Sequence, residues 1–181
     1  MAEVASWLAT RIEAVGIAID RPLVEAAALL HDVDKLVGDD DHAKSLPHGE
    51  GSADWLTRHG HPELSRAVTN HPVTKLVDGE AFGRWMAFAT REERIVAYAD
   101  KRAGQELESM SERFASWERR YPGGPNGSGW PPDERRRVMA RAVLLERDVC
   151  DAAQIAPGEV SRLAWTEAAL DEAMSRAGAR Q

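Results

Sequence analysis

The residues best suited to chemistry begin with His31-Asp32, followed by Lys35. An imidazole and a carboxylate together suit a borderline or hard divalent cation, and a nearby ammonium can hold a phosphate oxygen. If one helix runs through these positions, the three side chains point in neighbouring directions. The bland alternative is a helix end with surface charges, which carries about as much weight for so short a motif. A second carboxylate, Asp100, follows the apolar run Ile95-Val96-Ala97-Tyr98-Ala99. A carboxylate placed there lies near the core and needs a partner, either a metal or a cation such as Lys101 or Arg102. Two histidines complete the set. His48 opens His48-Gly49-Glu50-Gly51-Ser52, and His71 closes Val68-Thr69-Asn70-His71 before Pro72. Singly, each is equally well a cap or a core residue. Together, His31, Asp32, His48, His71 and Asp100 are an ordered set on several helical segments, which is how a buried site in a helical bundle is assembled.

The elements that position them follow from hydrophobic period and caps. Val4, Leu8, Ile12 and Val15 mark an amphipathic helix over 2–15. Asp20 is an N-cap with Pro22 in the next turn, and that helix is expected to continue through His31 and Asp32 to about Val37, where Gly38 stops it. Gly38 to His42 reads as a solvated loop. A third helix is expected from near His48 to Gly60, and a fourth from Pro62 to about Asn70. Pro72 places His71 at a helix C-terminus. Residues 73–89 fit no single element, although Leu76, Phe82, Trp85, Met86 and Phe88 require part of them to pack on the core. Thr90 and Glu93 have capping-box spacing and open a long helix expected to reach about Arg120. The stretch YPGGPNGSGWPP at 121–132 is the clearest break; helices at about 133–154 and around Leu163–Met174 follow it.

Strand signals are scarce, so the fold expected is all-α. It divides into a helical domain at 1–120 and a loop with C-terminal helices at 121–181 packed on that domain. The chain has 181 residues and a net charge of -7, which disfavours non-specific nucleic-acid binding but permits a local pocket for a small phosphorylated ligand. Cys150 is the one cysteine, which excludes an internal disulfide and cysteine-rich metal sites and fits a reducing, cytoplasmic compartment. No apolar run reaches the roughly 20 residues of a membrane span, and no signal-peptide pattern opens the chain. A homo-oligomer is compatible with all of this.

The ordered motifs His31-Asp32 with Lys35, His48-Gly49, His71 before its turn, and Ile95-Val96 leading to Ala99-Asp100 resemble the HD-domain superfamily of metal-dependent phosphohydrolases. The resemblance covers about residues 4–120 and is nearest to bacterial nucleotide hydrolases, with the diadenosine tetraphosphate hydrolase-like group as one candidate relative. It implies an HD-domain bundle with a C-terminal helical extension. It assigns His31, Asp32 and Asp100 to a metal, and His48 and His71 to a second metal or the phosphate pocket. Lys35 would contact phosphate, Asp32 and Lys35 would be catalytic, and Lys35 and Arg94 would bind substrate. The implied cofactor is one or two divalent ions (Fe, Mn, Zn, Ni or Mg). The implied reaction is attack of metal-activated water on the phosphorus of a nucleotide or other small phosphate ester.

The family pattern carries a further metal histidine on the first helix, shortly before a Val-Ala like Val4-Ala5, and no histidine precedes Val4 here. Either that ligand lies upstream, the favoured reading because the helix starts abruptly at its expected place, or the chain lacks it and metal affinity is weakened. The second case would suit a non-catalytic or weakly active ligand-binding module. Di-iron redox chemistry is a third class, which no residue selects. His42, His59 and His61 fall outside the pattern and read as surface residues. Arg66, Lys75 and Arg84 join Arg94 as candidate phosphate contacts, most of them solvated. The six tryptophans read as core or interface residues.

Overall fold

A computed structural model describes residues 1–104, 106–123 and 129–160. The chain is all-α. Its helices are α1 (Ala2–Ala14), α2 (Arg21–Leu30), α3 (Val33–Leu36), α4 (Glu50–Arg58), α5 (Ser65–Thr69), α6 (Gly79–Phe88), α7 (Arg91–Arg102), α8 (Met110–Arg120) and α9 (Pro132–Ala153). Short 3-10 turns lie at His42–Ser45, Pro62–Leu64, Val73–Leu76 and Pro157–Glu159. Among the described residues there is no β-strand, only two isolated bridges. The helix expected around Leu163–Met174 lies outside the described residues.

The bundle is built around α7. Ile95, Val96, Ala97, Tyr98 and Ala99 are all buried, so this helix is covered on every side and its polar residues are confined to its ends. It packs against α1, α2, α5, α8 and α9. The capping box that opens it is formed: the Thr90 hydroxyl accepts from the Glu93 N–H at 3.3 Å, and Glu93 Oε1 accepts from the Thr90 N–H at 3.2 Å. α1 buries Val4, Ala5, Leu8, Ala9 and Ile12. Asp20 caps α2 by accepting from the Leu23 N–H at 3.0 Å. α9 lies along α1 and α7, so its described residues share the same core.

Two expected continuous helices are broken. α2 ends at Leu30 rather than at Val37. His31 Nδ1 lies 2.9 Å from the Ala28 carbonyl, one of the orphan acceptors of the last helical turn, and Asp32 leaves helical geometry at φ -105°, ψ 20°. The helix from Thr90 also stops early, at Arg102. There the Glu108 N–H donates to the Arg102 carbonyl at 2.9 Å, and Ser109 opens α8 with its own capping box to Glu112. The unassigned stretch 73–89 is a 3-10 turn followed by α6, which Asp78 caps. Leu76 and Phe82 are buried there, whereas Phe88 is exposed.

Candidate metal centre

The break after α2 lets adjacent side chains work together. Neighbours in a continuous helix diverge, but here His31 Nε2 and Asp32 Oδ2 are 3.4 Å apart. The other contributions come from three directions. Asp100, in the last turn of α7, brings Oδ1 to 3.7 Å from His31 Nε2. His48, just before α4, places Nε2 3.1 Å from Asp32 Oδ1. His71, just after α5, is buried, with Nε2 3.4 Å from that same oxygen and 3.0 Å from His48 Nε2. The structure therefore brings His31, Asp32, His48, His71 and Asp100 into one cluster.

Two glycines permit this approach. Gly49 caps α4 at φ +87°, and a Cβ on it would lie 2.7 Å from the Thr69 carbonyl and 2.8 Å from Pro72 Cγ. A Cβ on Gly51 would clash with the Ala43 carbonyl. His48 thus comes close to the His71 segment because the residue after it has no side chain.

The hydrogen bonds on the far side of each ring fix its tautomer. A carbonyl can only accept, so His31 Nδ1–H donates to Ala28 and His71 Nδ1–H donates to Val68, at 2.9 and 2.6 Å. His48 Nδ1–H donates to the Asp34 carboxylate at 2.8 Å, and the Ser52 hydroxyl donates to the other Asp34 oxygen at 2.9 Å. All three neutral rings therefore turn a bare Nε2 lone pair inward. This is the arrangement of metal-ligating histidines, each oriented by a carboxylate or carbonyl behind it.

Asp32 Oδ1 is buried and has no hydrogen-bond partner, and in the neutral tautomers above the nitrogens that face it carry lone pairs. Two lone pairs 3.0 Å apart, with a carboxylate oxygen beside them, call for a cation between them. Neighbouring donor pairs 3.0–3.7 Å apart match the edges of a coordination shell with bonds of about 2.1 Å, and His31, Asp32 and His71 bring their ligand atoms within 4.8 Å of one another. The donor set, imidazole nitrogen and carboxylate oxygen without thiolate, suits a divalent transition metal. The residues present fit such an ion.

The local charges agree. Burial works against ionised Asp32, but Lys35, together with the hydrogen bonds that His48 and His71 donate when a proton rather than a metal occupies Nε2, outweighs it and holds the carboxylate far below its usual range. Asp32 raises the His48 pKa against the effect of burial, whereas burial lowers that of His31. Lys35 Nζ donates to Asp32 Oδ2 at 2.9 Å from a half-exposed position at the edge of the cluster.

Arg94 is placed elsewhere. Its guanidinium donates twice to Asp148, at 2.8 and 2.9 Å, and once to the Met86 carbonyl at 2.6 Å, clamping α7 to α9 and α6. Arg66, Lys75 and Arg84 are paired with Glu93, Glu50 and Glu80. His42, His59 and His61 are exposed. The two cations beside Asp100 also turn away from it. Arg102 pairs with Glu146, and Lys101 is fully buried, donating to the carbonyls of His71 and Ala97 at 2.8 and 3.0 Å. Burial lowers the Lys101 pKa to about 8.

Asp34 and Ser52 support the cluster without having stood out in the sequence. Asp34 could have been noticed as a carboxylate one turn past His31 and beside a helical break. Ser52 carries no comparable signal. Lys101, read from the sequence as a partner for Asp100, instead holds the His71 carbonyl.

A family model described as HD domain matches residues 1–104. The chain belongs to the HD-domain family. That match spans α1 through α7 and includes every member of the cluster. Members of this HD family are generally metal-dependent phosphohydrolases, and its domains typically bind divalent metals. No curated protein and no solved structure matches the chain. Among the described residues, no helix of this HD protein is long and apolar enough to cross a membrane.

Proposed function

We propose that this HD protein hydrolyses a nucleotide or another small phosphate ester with the help of a divalent metal. The reading is carried by the convergence of three imidazole nitrogens on the Asp32 carboxylate, His48 and His71 on its orphaned Oδ1 and His31 on Oδ2, with the Lys35 ammonium at the open edge. His31, Asp32, His48, His71 and Asp100 would hold one or two ions. When bound, a divalent metal lowers the pKa of coordinated water and neutralises charge on phosphoryl oxygens.

The remaining work falls to the chain. Asp34 keeps the proton on His48 Nδ1, so that Nε2 faces inward as a ligand. The Ala28 and Val68 carbonyls do the same for His31 and His71. Lys35 reaches the cluster from solvent and would bind a non-bridging phosphate oxygen, exchanging part of its contact with Asp32 for the substrate.

The test is phosphate release from a panel of nucleotides and simple phosphoesters with Mg, Mn, Fe(II), Ni and Zn. Metal-dependent turnover is expected for at least one substrate, and Asp32→Ala should lose both turnover and bound metal. Stoichiometric metal with no hydrolysis of any phosphoester would replace this proposal with a ligand-binding module.

A further inference from the structure

A second feature lies outside the residues that define the family. Between α8, the start of α9 and the turn Val73–Leu76 is a cavity of about 320 Å³. Its walls include Phe114, Trp117, Tyr121 and Trp130, with Thr74 and Arg135 also lining it. This volume is at the lower end of small-molecule sites. All four aromatic residues fall beyond the matched segment 1–104.

Its position ties it to the metal centre. Thr74 is three residues after His71, at most about 11 Å along the backbone. The turn carrying Thr74 also meets the other side of the site, where Lys75 Nζ donates to Glu50 at 2.6 Å, two residues after His48. The cavity wall and the metal centre therefore share the segment from His71 to Lys75, with none of the cluster residues lining the cavity itself.

The chemistry of the lining selects the occupant. Four aromatic rings offer stacking surfaces to a planar ring, whatever its hydrogen-bonding pattern. A cationic guest of the quaternary ammonium kind is disfavoured. The Arg113 guanidinium already lies over the Trp117 ring, 4.8 Å from its centroid, and the acidic lining residue Glu118 is ion-paired with Arg135. Both guanidiniums are already ion-paired, Arg113 with Glu108 and Arg135 with Glu118, so the aromatic walls favour a neutral planar ring.

We propose that this cavity receives the base of a nucleotide whose phosphate lies at the metal centre. The proposal rests on the phosphohydrolase reading for its phosphate end and names the substrate class for that site. The tryptophans at 117 and 130, read from sequence as core or interface residues, become the selectivity surface. The segment after α7 then supplies substrate choice, while the helices up to α7 supply the metal ligands.

Binding to the full chain is followed by tryptophan fluorescence and ligand-observed NMR, with adenosine 5′-monophosphate, adenosine, ribose 5-phosphate and choline as probes. The nucleotide and the free nucleoside should both bind. Trp130→Ala and the milder Tyr121→Ala should each weaken nucleoside binding about tenfold, leaving metal content and the circular dichroism spectrum unchanged. Trp117→Phe, which keeps a ring, should weaken it less than Trp117→Ala. Equal binding in the Trp130 and Tyr121 variants would overturn the proposal, as would ribose 5-phosphate binding as well as the nucleotide, or choline binding in place of adenosine. The two readings fail separately. Nucleoside binding that depends on Trp130 in a protein without hydrolytic activity would remove the phosphohydrolase and leave the cavity's ligand class. Hydrolysis indifferent to Trp130 and Tyr121 would do the reverse.

Discussion

At the scale of single residues, the centre depends on groups that do not touch the ion. Asp34 is buried, with both oxygens occupied by His48 and Ser52. Asp34→Asn keeps the shape but removes the charge that favours the Nδ1–H tautomer of His48. Metal affinity should fall roughly 10- to 100-fold with little loss of fold, measured by competition with a chelating dye. Lys35 predicts the opposite pattern. Its side chain is half exposed and touches the cluster only through Asp32 Oδ2. Lys35→Ala should leave metal content intact and raise KM for a phosphate ester about tenfold, the worth of one charged hydrogen bond. Loss of metal from this variant would remove its phosphate role. The ligand residues were legible in the sequence because imidazole and carboxylate recur in a fixed order. Asp34 was not legible, because its role exists only once α4 returns alongside it. Arg94 illustrates the converse: it looked available for phosphate, but Asp148, far along the chain, neutralises it.

At the scale of elements, the site is made by interruptions of helices. His31 and Asp32 converge because α2 ends between the apolar run and α3, and the sequence hid this break. Ala26 to Leu30 and then Val33 keep a helical apolar pattern across it, while the stop comes from the His31 side chain meeting the Ala28 carbonyl. The end of α7 was equally concealed by apolar residues that continue into α8, although Gly104 and the Ser109–Glu112 capping box were readable punctuation. Where the signals were caps with a local partner, at Asp20 and Thr90, expectation and structure coincide. Gly49 gives the prediction at this scale. Its positive φ, and the Thr69 carbonyl that would lie only 2.7 Å from an added Cβ, both resist a side chain. Gly49→Ala should cost about 1–3 kcal/mol of stability. It should also lower metal affinity, because relieving the clash moves His48 away from His71. A melting curve and a metal titration on one preparation test both effects; unchanged affinity in a destabilised variant would separate the packing role of Gly49 from the site.

At the scale of the whole molecule, the all-α class was legible because helical periodicity and caps are local, whereas the joining of α8 and α9 to the HD core depends on long-range contacts. Arg102 is the centre of that joining. Its side chain is 4% exposed, and its guanidinium donates to the Tyr98 hydroxyl, to Glu146 on α9, and to the carbonyls of Glu108, Pro157 and Val160. One cation thus fastens the end of α7 to the approach to α8, to α9 and to the chain after α9. Arg102→Met would leave Glu146 buried without its counter-charge and three carbonyls without a donor. Breaking a buried pair in this way costs about 3–5 kcal/mol. For a chain of this size, that corresponds to a melting temperature lower by roughly 10 °C or more. Adding Glu146→Gln removes the stranded charge, so the double variant should recover part of the loss; the missing carbonyl contacts prevent full recovery. Because Arg102 lies two residues beyond Asp100, on another side of α7, and contacts none of the cluster, metal content at low temperature should survive in both variants. A melting loss with no recovery in the double variant would show that the carbonyl bonds, rather than the ion pair with Glu146, hold the C-terminal helices to the core.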